Sequence, residues 1–203
     1  MSIKLKKEHI GLLLINVLML VIFGAFFILR RNYEFVIYVG AIIVCLAVIC
    51  VSFFRVVYSN VTLLGLTIWS LLHLAGGGVY INGIRLYEII LIPLSVKYPI
   101  LRYDQLVHTF GFAAATLVIF DLLRPLLKEN LQGYVALSIV VVMAGLGVGA
   151  FNEIVEALVS AAIPSSGVGG YLNTALDLIA DLVGAIFAMA FIKLRYLRCD
   201  IRR

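Results

Sequence analysis

The fold class predicted by the sequence is an all-α polytopic membrane helix bundle of about six transmembrane helices, both termini cytoplasmic. Three observations predict it. The 203 residues are 64% hydrophobic and 13% charged, with a mean hydropathy of +1.13. A soluble domain is about 45–50% apolar and about 25% charged, and a globule of this size cannot hide such an excess from water. Apolar runs of about 20 residues, enough to cross a bilayer at 1.5 Å per residue, recur along the chain. The Lys and Arg residues gather in short groups between those runs.

Each element follows from its run and its borders. Residues 10–29 lie between Lys4/Lys6/Lys7 and Arg30/Arg31; the run is too long for a signal peptide and lacks a small-residue cleavage site, so it is expected as a retained first helix. Residues 35–57 form the second span. Residues 61–74 form a short third that closes in Gly76-Gly77-Gly78. Val79 to Arg102, with Pro93 and Pro99, is expected to be a partly apolar loop that dips into the interface. Residues 104–123 form the fourth span, ended by Arg124-Pro125. Residues 134–158 and 172–194 are the fifth and sixth, separated by the loop Pro164–Gly170. The whole chain, 1–203, is expected to be one transmembrane domain without repeats.

Six spans put both termini on one side, and the positive-inside rule assigns that side. With the termini inside, the cytoplasmic face holds eleven cations, Lys4, Lys6, Lys7, Arg55, Arg124, Lys128, Lys193, Arg195, Arg198, Arg202 and Arg203. The outer face holds five, Arg30, Arg31, Arg85, Lys97 and Arg102. A multi-pass protein of the cell (inner, cytoplasmic) membrane is expected. The net charge of +5 does not indicate a nucleic-acid partner, because the cations make no basic stripe. Cys45, Cys50 and Cys199 show no paired framework and are expected as free thiols.

Ionisable groups inside a spanning helix cost roughly 2.5–3.5 kcal/mol each at mid-bilayer, so they mark function by default. His73 ends span three, and Asp104 and His108 open span four. Asn152, Glu153 and Glu156 lie near the end of span five; Asn173, Asp177 and Asp181 open span six. All four helix ends point the same way, outward in this topology. Asp104 and His108 are one turn apart on one face, as are Glu153 and Glu156, while Asn173, Asp177 and Asp181 continue down one stripe. Gly145, Gly147, Gly149 and Gly184 thin spans five and six for close approach.

Five carboxylates, Asp104, Glu153, Glu156, Asp177 and Asp181, have no Lys or Arg in the same helix segments; Arg102 is the nearest in sequence. They cannot share a poorly hydrated pocket while all are ionised and unpaired. Protonation, hydrogen bonding or a bound cation resolves this. The preferred expectation is a divalent metal held by His73, His108, Asp104, Glu153, Asp177 and Asp181, a mixed nitrogen and oxygen set that suits Zn, Mn or Fe more than Ca. Bland alternatives stand beside it: an internal Asp104–His108 hydrogen bond, a packing role for His73, a solvated Glu156, and an N-cap at Asn173 shared with Thr174. Asn60-Val-Thr62 fits a glycosylation pattern but falls on the inner side, and the glycine triplet has no Lys-Ser/Thr of a phosphate loop.

The blocks His73-Leu-Ala-Gly-Gly-Gly-Val-Tyr80, Tyr103-Asp-Gln-Leu-Val-His108, Asn152-Glu-Ile-Val-Glu156 and Tyr171-Leu-Asn-Thr-Ala-Leu-Asp177, with Asp181 and Gly184, resemble the YjdF-like family of prokaryotic inner-membrane proteins. More distantly, the last three blocks resemble VanZ-like membrane proteins. The resemblance covers about Val61 to Phe191. It implies a small polytopic protein with an intramembrane polar site, and it implies no reaction.

Three functions compete. The first is a metal-dependent hydrolase or transferase acting on a lipid or envelope precursor, with Asp104 or Glu153 as general base and no Ser or Cys placed as nucleophile. The second is a small proton- or cation-coupled transporter, disfavoured by acids crowded at one leaflet and by the lack of inverted repeats. The third is a non-catalytic membrane protein whose polar residues specify helix pairing. Oligomeric state is not legible.

Overall fold

The computed structural model describes residues 7–95, 97–98, 100–127, 134–163 and 169–197. Lys4, Lys6, Lys128, Cys199, Arg198, Arg202, Arg203, Pro99 and the loop residues 164–168 lie outside them. Among the described residues, six helices are long and apolar enough to cross a membrane. They are α1 (Lys7–Leu29), α2 (Tyr33–Ser52), α3 (Asn60–Gly78), α4 (Tyr103–Leu123), α5 (Tyr134–Ala162) and α6 (Tyr171–Ile192). The all-α polytopic bundle is therefore the observed fold. α4 is its hub, packed on α3, α5 and α6.

Side-chain caps and buried polar links fix the order of helix ends. Asp121, in the last turn of α4, accepts hydrogen bonds from the Ser59 N–H (3.0 Å) and the Thr62 hydroxyl (2.6 Å) at the start of α3. A carboxylate at a helix N-terminus also faces the positive end of the helix dipole. His9 meets Asn60 at 3.0 Å, so α1 starts beside α3. Asn16 donates to Thr67 (2.7 Å) and to the Leu12 carbonyl (2.8 Å), which satisfies it in the apolar interior. One pole of the bundle thus carries the starts of α1, α3 and α5, and the other the starts of α2, α4 and α6.

Three expectations need correction. The third helix closes in the glycine triplet as expected, but its turns run on to Gly78 and not only to Leu74; the Tyr87 ring packs where a Cβ of Gly76 would lie and the Phe35 ring where one of Gly77 would lie. The segment from Val79 to Arg102 is more ordered than a loop. Tyr80–Ile81 and Ile84–Arg85 form a hairpin around Asn82 (φ 52°) and Gly83 (φ 80°), the left-handed pair of a two-residue turn. The strap after it is tied to the start of α4 by Leu91 N–H to Leu101 O and Tyr103 N–H to Ile89 O, both 2.9 Å. Arg85 reaches Glu34 of α2 at 3.2 Å and lies over the Phe35 ring. The second helix also stops at Ser52, short of the expected residue 57, where Ser52 bonds the Ile49 carbonyl and the Tyr58 hydroxyl.

The cations divide evenly among the described residues: Arg30, Arg31, Arg85, Lys97 and Arg102 at the pole of the α4 start, and Lys7, Arg55, Arg124, Lys193 and Arg195 at the other. The bias read from the sequence resides in Lys4, Lys6, Lys128, Arg198, Arg202 and Arg203, outside the described residues.

Candidate metal centre

The site is assembled where α4, α5 and α6 touch. Small residues make the approach possible. A Cβ on Gly184 of α6 would strike the Thr109 carbonyl of α4, and a Cβ on Gly149 of α5 would strike the Asp181 carboxylate. These glycines bring three helices close enough for short acidic side chains to meet around one imidazole.

That imidazole is His108, buried at the centre. Its Nδ1 is 2.9 Å from Asp181 Oδ1 and 3.8 Å from Glu153 Oε1. Its Nε2 is 3.7 Å from both Asp104 Oδ1 and Glu156 Oε1. The Nδ1 contact with Asp181 holds the ring; with a single proton on Nδ1 the ring would donate to Asp181 and keep the Nε2 lone pair free. The Asp104–His108 hydrogen bond that stood as the bland alternative is not formed, since 3.7 Å is beyond its range. Asp177 is 0% exposed and held by two amides: Gln105 donates to Oδ1 at 2.9 Å and Asn173 to Oδ2. Asn173 also donates to Asp104 Oδ2 at 3.2 Å. It therefore joins the site and does not cap α6, whose N-cap is Gly170. Glu156 is not a solvated bystander either; it accepts from Asn152 at 2.8 Å and faces His108.

Two triads offer ligand atoms within 4.8 Å of one another: Asp104, His108 and Asp177, and His108, Glu153 and Asp181. Two buried oxygens, Glu153 Oε1 and Asp181 Oδ2, have no hydrogen-bond partner among the described residues, although Glu153 is only 7% exposed and Asp181 0%. A buried acceptor left this way is costly.

His73 stands outside both triads. Its Nδ1 is 2.6 Å from the Tyr87 hydroxyl, and its ring packs among Phe35, Tyr38, Trp69 and Tyr87 at centroid distances of 5.3–5.7 Å. It does line the same small cleft, of about 40 Å³, as Asp104, Glu156 and Asn173. That volume admits about two or three waters. Tyr87 follows α3 and precedes α4; burial, and then the charges of Asp104 and Glu156, push its phenol well above the usual value, so it keeps its proton.

Gln105 and Tyr87 are site residues that sequence reasoning passed over. Gln105 carried a signal: it is one position from Asp104 and three from His108, on the first turn of the same helix. Tyr87 carried none, since only the hairpin fold returns it to α3.

A family model described as "Predicted membrane protein (DUF2238)" matches residues 10–198. The chain belongs to this family. The YjdF-like resemblance is consistent with that membership, and the match spans all six helices and every residue of both triads. No curated protein and no solved structure matches the chain. A multi-pass protein embedded in a lipid bilayer, with a buried His/Asp/Glu cluster, is what family and fold together establish.

Proposed function

We propose that the cluster is a divalent metal centre of a membrane-embedded hydrolase or transferase acting on a lipid or envelope precursor. The observation that carries this reading is His108, with Nδ1 committed to Asp181 and Nε2 3.7 Å from two carboxylates on different helices. Two donors on one Zn-sized ion lie about 3.3 Å apart, from bonds of 2.0–2.2 Å at the tetrahedral angle, so a shift of a few tenths of an ångström suffices. Asp104, His108 and Asp177 would hold the ion, with Glu156 adjoining. Bound there, the metal would lower the pKa of a coordinated water and polarise an ester or phosphoryl oxygen.

The chain's own groups divide the remaining work. Asp181 orients His108. Gln105 and Asn173 aim the two oxygens of Asp177. Glu153, with a buried oxygen that has no hydrogen-bond partner among the described residues, would take a proton as general base; Asp104 would serve as ligand first. One imidazole with several carboxylates is richer in oxygen than the two-histidine set, which within Zn, Mn and Fe moves the preference towards Mn.

The same reading puts the centre on the outer side of the inner (cytoplasmic) membrane with both termini inside, on the strength of the cation bias along the full sequence. The VanZ-like likeness agrees with an envelope role and carries no step.

Inductively coupled plasma mass spectrometry after mild purification tests the centre. One metal per chain is expected in the natural protein, falling to background in Asp104→Ala/His108→Ala. No stoichiometric metal, or metal unchanged in the double variant, overturns it.

A further inference from the structure

Beside the metal centre the bundle contains a second, much larger space. The buried residues of α2, Glu34, Phe35, Tyr38, Val39 and Ile42, all lie in its first half; from Ile43 to Ser52 none is buried. The second half of α2 stands away from α4, and the gap is a groove of about 630 Å³. Val44 and Val48 line it while remaining exposed, so it opens sideways to the surrounding lipid. Along α2 it runs from Tyr38 past Ser52, about 21 Å of helix rise. Its walls are overwhelmingly apolar, and Asn16, the amide on the α1 wall, is already bonded to Thr67 and Leu12.

The groove does not end blindly. Tyr38 and His73 line both it and the polar cleft that holds Asp104 and Glu156. Asn152 also lines it, and donates to Glu156 at 2.8 Å, which in turn lies 3.7 Å from His108 Nε2. An apolar slot as long as an acyl chain, open to the bilayer and leading at one end to a carboxylate–imidazole cluster, has the shape of an amphiphile.

We infer that this groove seats one acyl chain of a membrane lipid, with the lipid's polar end directed to His73 and Asn152 at the mouth of the metal centre. The inference rests on the proposed catalytic reading for its purpose, since the seated lipid is then the substrate class. The binding itself is a separate claim. The hydrocarbon that bathes the open side is acyl chain, which makes it the occupant.

The molecule supplies its own reporter. Trp69 is the chain's single tryptophan and lines the groove. Purified protein in a bromine-free detergent is titrated with phosphatidylcholine carrying a mid-chain dibrominated acyl group, and Trp69 fluorescence is followed. Quenching that saturates at one lipid per chain is expected. Ala115→Phe, which fills the groove from α4, is expected to weaken it about tenfold or more, as overfilling a packed space does. Ala41→Phe fills it from α2 and serves if the first variant fails to fold. Quenching that is absent, or that rises without saturation equally in natural and filled proteins, overturns the inference. Saturable quenching in natural protein that carries no stoichiometric metal would remove the catalytic reading and leave the groove standing. Stoichiometric metal without saturable quenching would do the reverse.

Discussion

His108→Ala protein is expected to fold and to hold no metal. The imidazole is the one nitrogen shared by both triads, so its loss leaves only carboxylates around a cavity one ring larger. Five acidic groups, Asp104, Glu153, Glu156, Asp177 and Asp181, would then surround that cavity with less to neutralise them. Isothermal titration with Mn²⁺ should show binding reduced below detection. Asp181→Asn makes a graded comparison. It keeps the shape and removes the charge that orients His108, and loss of such an outer partner weakens metal affinity about 10–100-fold. An Asp181→Asn protein that binds as the natural one does would show that the 2.9 Å contact is packing and not support for a ligand.

The second large effect is on assembly. In Gly184→Val the new side chain meets backbone on the neighbouring helix, the Thr109 carbonyl and the Ala113 nitrogen, neither of which can rotate away. α6 must move off α4. Overpacking of this kind costs about 1–3 kcal/mol, and more when the obstacle is main chain. Asp177, Asp181 and Gly184 share one face of α6, so the same displacement separates Asp181 from His108. Thermal unfolding in detergent should fall markedly, and metal content with it. Gly147→Ala is the internal control: nothing lies within 4 Å of its Cβ position, and replacing a helical glycine there should be neutral or stabilising by up to about 1 kcal/mol. Equal behaviour of the two variants would contradict the close α4–α6 contact.

The helices were legible because bilayer thickness imposes a length on apolar runs, and that length survives any detail of packing. The polar stripes were legible for a related reason: Asp104/His108 and Asp177/Asp181 are one turn apart, which assigns each pair a face before any partner is known. Their convergence follows once the helix ends alternate. What the sequence could not supply was azimuth. His73 has the right height, but rotation of α3 sends it to Tyr87 and an aromatic surround, outside both triads. Asn173 looked like a cap because it opens a helix; only the neighbouring Asp104 reveals its other use. The hairpin was missed although Asn82-Gly83 signals one, since two-residue strands offer no alternation to read. The glycine triplet does end α3, at Gly78; what the sequence did not show is that the Tyr87 and Phe35 rings pack where side chains of Gly76 and Gly77 would lie.

The most direct test of the central claim is X-ray absorption at the metal edge of the purified, metal-loaded protein. It reads donor types around the ion without needing a known substrate. Oxygen donors with a single imidazole nitrogen are expected around the ion, and His108→Ala protein taken through the same loading should give no metal edge. A shell with no imidazole, or one left unaltered by that substitution, would contradict the account.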